Sequence, residues 1–179
     1  MKSDIAVVAI DTGIKRELAF SKYNERRTEC EESVAILKKR LGINSLRDLD
    51  TEEFTRFKHL LPNNLQKRCK HVVFENERVI KAVKAIKDED FQRLGSLMYE
   101  SHLSLRDYYE VSCRELDLLV DLARRVKGAF GSRMMGAGFG GCTVNILERN
   151  RIEEFSQILK KRYKELTNLS AQVYICYTR

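Results

Sequence analysis

GSRMMGAGFGGCTVNIL, residues 131–147, decides the fold. Six of the nine glycines lie between Gly128 and Gly141, and Gly136, Gly138, Gly140 and Gly141 sit within six positions of one another. Glycine takes positive φ without steric cost and lets another backbone or a ligand come close. Cys142 to Leu147 is apolar and β-branched, as a strand requires. The local reading is strand, glycine loop, strand. A loop of small residues presents bare backbone N–H groups, which suits an anion such as a phosphate. No Lys-Ser/Thr follows the glycines, so this is not a P-loop. A strand and not a helix follows, so it is not the dinucleotide pattern either. Taken alone, a hairpin with a crowded turn explains the stretch more simply.

Outward from that loop, the pattern is mixed. Ile5 to Ile10 reads as a strand buried on both faces, closed by Asp11-Thr12-Gly13. Some hundred residues of helical periodicity follow. Cys30, Val34, Leu37 and Leu41 share one helix face, and Gly42 ends it. Asp50 with Glu53 makes a capping box, Asp90 caps a later helix, and Ser112 with Glu115 makes another box before Leu116, Leu119, Val120 and Ala123. Leu65, Cys69, Val72, Val79, Val83 and Ile86 keep one helical period. Beyond the loop, Asn150 and Glu153 open a helix with the stripe Ile152, Phe155, Leu159, Tyr163 and Leu166. Gln172 to Tyr177 closes the chain as a strand. The expected fold is α+β: a ferredoxin-like βαββαβ sandwich with a large helical insertion after the first strand. Strands are expected near residues 5–11, 129–135, 141–148 and 172–178, in one antiparallel sheet, with helix 151–166 on one face.

The chain has 179 residues, 43% of them hydrophobic and 33% charged, which describes one soluble globular domain. Its longest apolar run is too short to cross a bilayer, and its start lacks signal-peptide architecture. Five widely spaced cysteines form no C-x-x-C pair and read as reduced thiols in a cytoplasmic protein. The net charge of +7 raises a nucleic-acid partner. However, the runs at Lys38 to Arg40, Gln66 to Lys70 and Lys160 to Lys164 lie opposite apolar helix faces and read as solvated surface. No nucleic-acid motif accompanies them. His59, His71 and His102 lie in helical stretches without a ligand cluster, so none is assigned to catalysis or metal.

Three stretches carry a family likeness. GSRMMGAGFGGCTV resembles the third conserved motif of the galactokinases, within the GHMP family of small-molecule kinases that includes homoserine and mevalonate kinases. SKYNERRTECEE, residues 21–32, and SHLSLRDYYEVSCRELD, residues 101–117, resemble galactokinases in particular. All three fall in the family's order, and the likeness spans almost the whole chain but only the C-terminal half of a galactokinase. Tyr108 stands where the family usually has a second aspartate, Arg114 where it usually has proline, and the family's glycine-containing tail is missing after Arg179.

The resemblance implies a single domain over 1–179, with the nucleotide-binding and catalytic domain outside this chain. It implies ATP with Mg²⁺ and galactose in the intact enzyme, and no catalytic residue, metal ligand or cofactor held by this chain alone. Tyr23 would hydrogen-bond the sugar. Gly136, Ala137, Gly138, Gly140 and Gly141 would line the cleft floor beside the triphosphate, where a Cβ would fill the gap between loops. Arg106 and Asp107 are expected to pair structurally at a corner. Arg26 and Arg27 reach the cleft, meet the other domain or remain solvated. The isolated face near the loop and first strand is open to self-association. The alternative is a galactokinase-like sugar or ATP sensor without catalysis.

Overall fold

In a computed structural model of the chain, residues 4–14 and 19–176 are described. Strand β1 (Ile5–Asp11) leads into helices α1 (Ala19–Leu37), α2 (Thr51–Phe57), α3 (Asn63–Lys87) and α4 (Phe91–Ser104). A π-helical turn, Leu105–Tyr109, then redirects the chain into α5 (Arg114–Arg124). Strands β2 (Ala129–Met134) and β3 (Cys142–Glu148) form a hairpin around the glycine loop, and α6 (Ile152–Thr167) and β4 (Gln172–Cys176) follow. The four strands make one antiparallel sheet in the order β2-β3-β1-β4. The expected strands are all present. Residues 177 and 178, the expected end of the last strand, lie outside the described residues, as do the first three residues of the chain.

Register decides which residues meet the helices. Ile10 pairs with Thr143 and Val8 with Asn145, so these alternate residues share a face. On that face Val8, Ile10 and Leu147 pack against Leu119, Ala123, Phe155, Leu159 and Tyr163 of α5 and α6. Phe155, Leu159 and Tyr163 are the expected stripe of α6; Leu166 is exposed. Each fully buried side chain of this size contributes roughly 1.5–3 kcal/mol. On the opposite face Val144 and Ile146 pack against Ala85, Leu94, Leu97 and Met98 of α3 and α4. The helical insertion has its own core, with Leu37, Leu46, Phe54, Leu65 and Val73 at its centre.

Local signals mostly match. Asp50 and Glu53 form the capping box, and Asp90 accepts from the Arg93 N–H. Ser112 departs from expectation. Cys113 is the N-cap of α5 and makes no side-chain cap bond, while Ser112 donates to Asp117 at 2.5 Å. A carboxylate in reach outcompetes a backbone cap. Asn150 likewise lies in a 3₁₀ turn, and α6 begins without a side-chain cap. The expected end of α1 also differs: the helix stops at Leu37, a turn follows over 38–40, and Leu41 and Gly42 lie beyond it.

Helix α4 touches the sheet where two glycines meet. A Cβ on Gly95 would stand 1.8 Å from the Phe130 carbonyl oxygen, and one on Gly131 would stand 2.4 Å from the Gly95 Cα. No side chain can enter this crossing. Gly95→Ala is expected to destabilise the fold by about 1–3 kcal/mol through overpacking. Urea unfolding measures it, and a midpoint equal to wild type would show that the helix and strand separate at little cost.

Candidate functional site

The site is built around the π-helical turn. A π turn leaves carbonyls without their usual helical donors, and buried carbonyls need partners. Two arginines supply them. Arg26, on α1, donates from Nε to the Tyr109 carbonyl at 2.7 Å. Arg68, on α3, donates from Nη1 to the Tyr108 carbonyl at 2.6 Å. Both guanidiniums also bind one oxygen of Glu29, at 2.6 Å and 2.8 Å. Arg68 Nη2 reaches Glu110 at 2.8 Å, and Lys67 holds the other Glu110 oxygen at 2.9 Å. The arginine side chains are only 6% and 5% exposed, so the charges are desolvated and must balance; Glu29 and Glu110 balance them. The two cations hold the Glu110 carboxyl down at about 2.

Glu110 itself is left-handed, with φ 55, and ends the turn. The next residue, Val111, faces the glycine loop. Its carbonyl accepts from the Phe139 N–H at 2.8 Å. A Cβ on Gly138 would lie 2.0 Å from that same oxygen, and Gly138 has φ +86. Bareness at Gly138 is therefore demanded by this chain's own backbone. Phe139 packs half-buried into a small cluster of Leu105, Val111, Leu116 and Met134. Gly138, Gly140 and Gly141 are buried; Gly136 is exposed and Ala137 half-buried, so these two form the loop's outward edge. The far side of the loop is pinned to β1. Thr12 donates from both N and Oγ1 to the Gly141 carbonyl at 2.9 Å, and Tyr163 OH donates to the Thr12 carbonyl at 2.9 Å.

Tyr23 sits on α1 one helical turn before Arg26, with its side chain 55% exposed. The sugar candidate and the glycine loop thus hang from the same corner, one through Arg26 and the other through Val111. A cavity of about 560 Å³ lies in the helical insertion, lined by Cys30, Val34, Leu46 and Val72 among others.

Several residues stand differently from expectation. Arg27 is exposed and pairs with Glu31, whereas Arg26 is buried and structural. Arg68 lies inside the basic run expected to be solvated, yet it is 4% exposed, because its partners replace water. Arg106 and Asp107 do pair, at 2.7 Å. His102 has a carboxylate neighbour after all: its Nε2 lies 3.1 Å from Asp117, while its Nδ1 accepts from the Met134 N–H at 3.3 Å. Glu29, Arg68, Glu110 and Val111 escaped the sequence reading. The one available signal was Arg68, a cation next to Cys69 and three residues after Leu65 on an apolar face.

The corner also carries a buried histidine. His71 bonds Ser104 at 2.9 Å and lies against the Tyr109 ring with centroids 4.6 Å apart. Burial, aided by Arg78 and Arg133 and opposed by Glu75, pushes its pKa down to about 4.

Residues 82–165 match the family model described as GHMP kinases C terminal. The chain carries the C-terminal domain of the GHMP kinases and belongs to that family. Within it, the chain corresponds to the C-terminal part of a galactokinase. It is 46% identical to the galactokinase of Clostridium acetobutylicum over 170 residues, covering 94% of this chain and 44% of the relative. It is 48% identical to that of Fusobacterium nucleatum over 174 residues, covering 96% and 45%. The crystal structure of Lactococcus lactis galactokinase complexed with galactose superposes with a TM-score of 0.93 at 38% identity, over 96% of this chain and 45% of that one. Mevalonate kinase from L. major, with a TM-score of 0.57 at 22% identity over 94% of this chain and 42% of that one, shares the fold. The chain therefore spans less than half the length of these relatives.

The His71 environment predicts a pH dependence. The folded protein keeps the ring neutral down to about pH 4, while the unfolded chain takes up a proton near 6.5. Between these values the unfolded state binds more protons, so stability present above pH 6.5 is lost as the pH falls towards 4. The loss is roughly 2–3 kcal/mol. Unfolding measured at pH 7 and pH 4.5 checks this, with His71→Gln expected to flatten the slope. A variant slope equal to wild type would assign the dependence to another group.

Proposed function

We propose that these residues form the substrate-side wall of a galactokinase cleft, in a protein that transfers the γ-phosphoryl group of ATP to galactose. The observation that carries this reading is the convergence of Tyr23's helix and the glycine loop on one buried corner, within a chain so similar to a galactokinase complexed with galactose. Phosphoryl transfer depends mostly on positioning and on stabilising charge. Tyr23 fits the first task, because an exposed phenol hydroxyl both donates to and accepts from a sugar hydroxyl. Gly136, Ala137, Gly138, Gly140 and Gly141 make the floor beside the triphosphate, with Gly136 and Ala137 nearest solvent.

The catalytic base, the phosphate loop and the Mg²⁺ ligands belong, on this reading, to the part of the protein outside these 179 residues, which form one domain. Among the described residues no three His, Cys, Asp or Glu side chains converge as a metal site. The strand order β2-β3-β1-β4, all antiparallel, supports the finer description of the fold as a ferredoxin-like βαββαβ sandwich with a helical insertion after β1. On this reading the protein works in the cytoplasm, where ATP is supplied. No described helix is long and apolar enough to cross a membrane. A sensor without catalysis is not favoured, because the relatives named above are galactokinases.

Most exposed apolar side chains lie away from the glycine loop, on α3 at Val79, Ile80, Val83 and Ile86 and on β4 at Tyr174 and Ile175. Beside the loop itself, Met135 is exposed. The rest of the protein would cover part of this surface, and the isolated domain would self-associate through it.

Two outcomes test the reading. The 179 residues alone are expected to show no galactose-dependent ADP release, because the positioning advantage of a two-walled cleft, roughly 7–11 kcal/mol, is absent. In the intact protein, Tyr23→Phe is expected to cost about 0.5–1.5 kcal/mol of sugar affinity, roughly a two- to tenfold rise in the galactose KM. Sustained sugar-dependent turnover by the isolated residues, abolished by Tyr23→Phe, would place the catalytic machinery here instead.

A further inference from the structure

We propose that Arg68 is a positioning residue which, with Glu29 and Arg26, fixes the glycine loop relative to the helix carrying Tyr23. The proposal rests on the reading that Tyr23 and the loop are two sides of one site. Its argument is geometric. Arg68 uses three nitrogens on two segments: Nε on Glu29 of α1, Nη1 on the Tyr108 carbonyl of the π turn, and Nη2 on Glu110, which ends that turn. Glu29 closes the triangle by also holding Arg26, which grips the Tyr109 carbonyl. Two carbonyls of a five-residue turn are thereby tied to α1 and α3. Only one residue, Glu110, separates that turn from Val111. The Val111 carbonyl is both the acceptor for Phe139 N–H and the atom against which Gly138 closes. A shift of the turn must move Val111, and Val111 cannot move towards the loop, because the space of a Gly138 Cβ is already filled by its oxygen.

A surface ion pair would not have this consequence. Exposed pairs are worth little and leave the backbone where it was. Arg106 with Asp107 is such a pair on the same turn, with side chains 39% and 49% exposed, and serves as the internal control. Lysine cannot replace Arg68. A single ammonium on a flexible stem cannot reach three acceptors arranged around a planar fork.

Hydrogen–deuterium exchange on the intact protein tests the proposal, read at the Phe139 amide and at core amides of β1 and α6. In Arg68→Lys and in Glu29→Gln the Phe139 amide is expected to exchange on the order of tenfold faster, because local opening of the loop becomes easier. Val8 and Tyr163 amides keep their wild-type rates, and Arg106→Gln leaves Phe139 unchanged. Wild-type protection at Phe139 in both variants overturns the proposal. So does a uniform acceleration of loop and core, which would make the cluster a contributor to global stability alone. If neither variant folds, Glu110→Ala decides, since it removes one of the three contacts at a 41% exposed side chain; a selective rise of about threefold at Phe139 is expected, and none overturns the idea. The exchange readout needs no turnover. Absence of galactose-dependent ADP release from the wild-type intact protein would refute the kinase reading while the exchange result still judged the role of Arg68.

Discussion

Two buried guanidiniums sharing one carboxylate are what the rest of the site depends on. The π turn at Leu105–Tyr109 lets the chain change direction between α4 and α5, and it exposes carbonyls that no helical N–H can reach. Burying them unpaired would cost on the order of 1–3 kcal/mol each. Arg26 and Arg68 satisfy them, but only because Glu29 and Glu110 make the burial of two cations tolerable. The arrangement is weak evidence for stability as such, since an apolar corner could be as stable. What it adds is specificity of position: charge, fork geometry and carbonyl direction must all agree at once.

This requirement explains why the helical insertion is part of the site. The insertion has a core of its own, centred on Leu37, Phe54, Leu65 and Val73, distinct from the core between the sheet and helices α5 and α6. Between the two lies the small cluster of Leu105, Val111, Leu116 and Met134, against which Phe139 packs. Helices α1 and α3 pack in the first core but send Arg26 and Arg68 across to the turn. Mechanical continuity between the insertion and the glycine loop passes through that junction. His102 adds a second strut there, joining α4 to the Met134 N–H of β2, with Asp117 of α5 beside its other ring nitrogen.

Legibility in the sequence follows the range of the interaction. The strands were readable because β-branched runs and bounding glycines are local signals. The Asp50–Glu53 and Asp90 caps were readable for the same reason. Ser112 was misread because its partner is a side chain five residues away rather than a backbone N–H. Val79, Val83 and Ile86 continue the apolar period of α3 but are exposed, because this end of the helix packs through Ala82 and Ala85 on α4 and the sheet, and periodicity does not know which face a neighbour covers. Arg68 was hidden by its company in a basic run. Its acceptors lie some 40 residues away on each side, at Glu29 and Glu110, and nothing in the linear pattern pairs them.

The glycines show how one sequence signal can serve two physical demands. Their clustering suggested bare backbone for a ligand. In the structure, Gly138 is bare because the Val111 oxygen occupies the place of its Cβ, and its φ of +86 is one that other side chains rarely adopt. The smallness of the loop is thus first a condition of folding the corner, and of its small residues only Gly136 and Ala137 meet solvent. These demands are compatible because they act on opposite sides of the loop. A loop clamped from behind by Val111, and from its far end by Thr12, presents its outer backbone without having to be ordered on contact. The entropy of fixing it, about 1–2 kcal/mol per residue, is met at folding rather than at binding. Any ligand that approaches that edge therefore meets a preorganised surface, and the cation pair behind the π turn is what keeps it so.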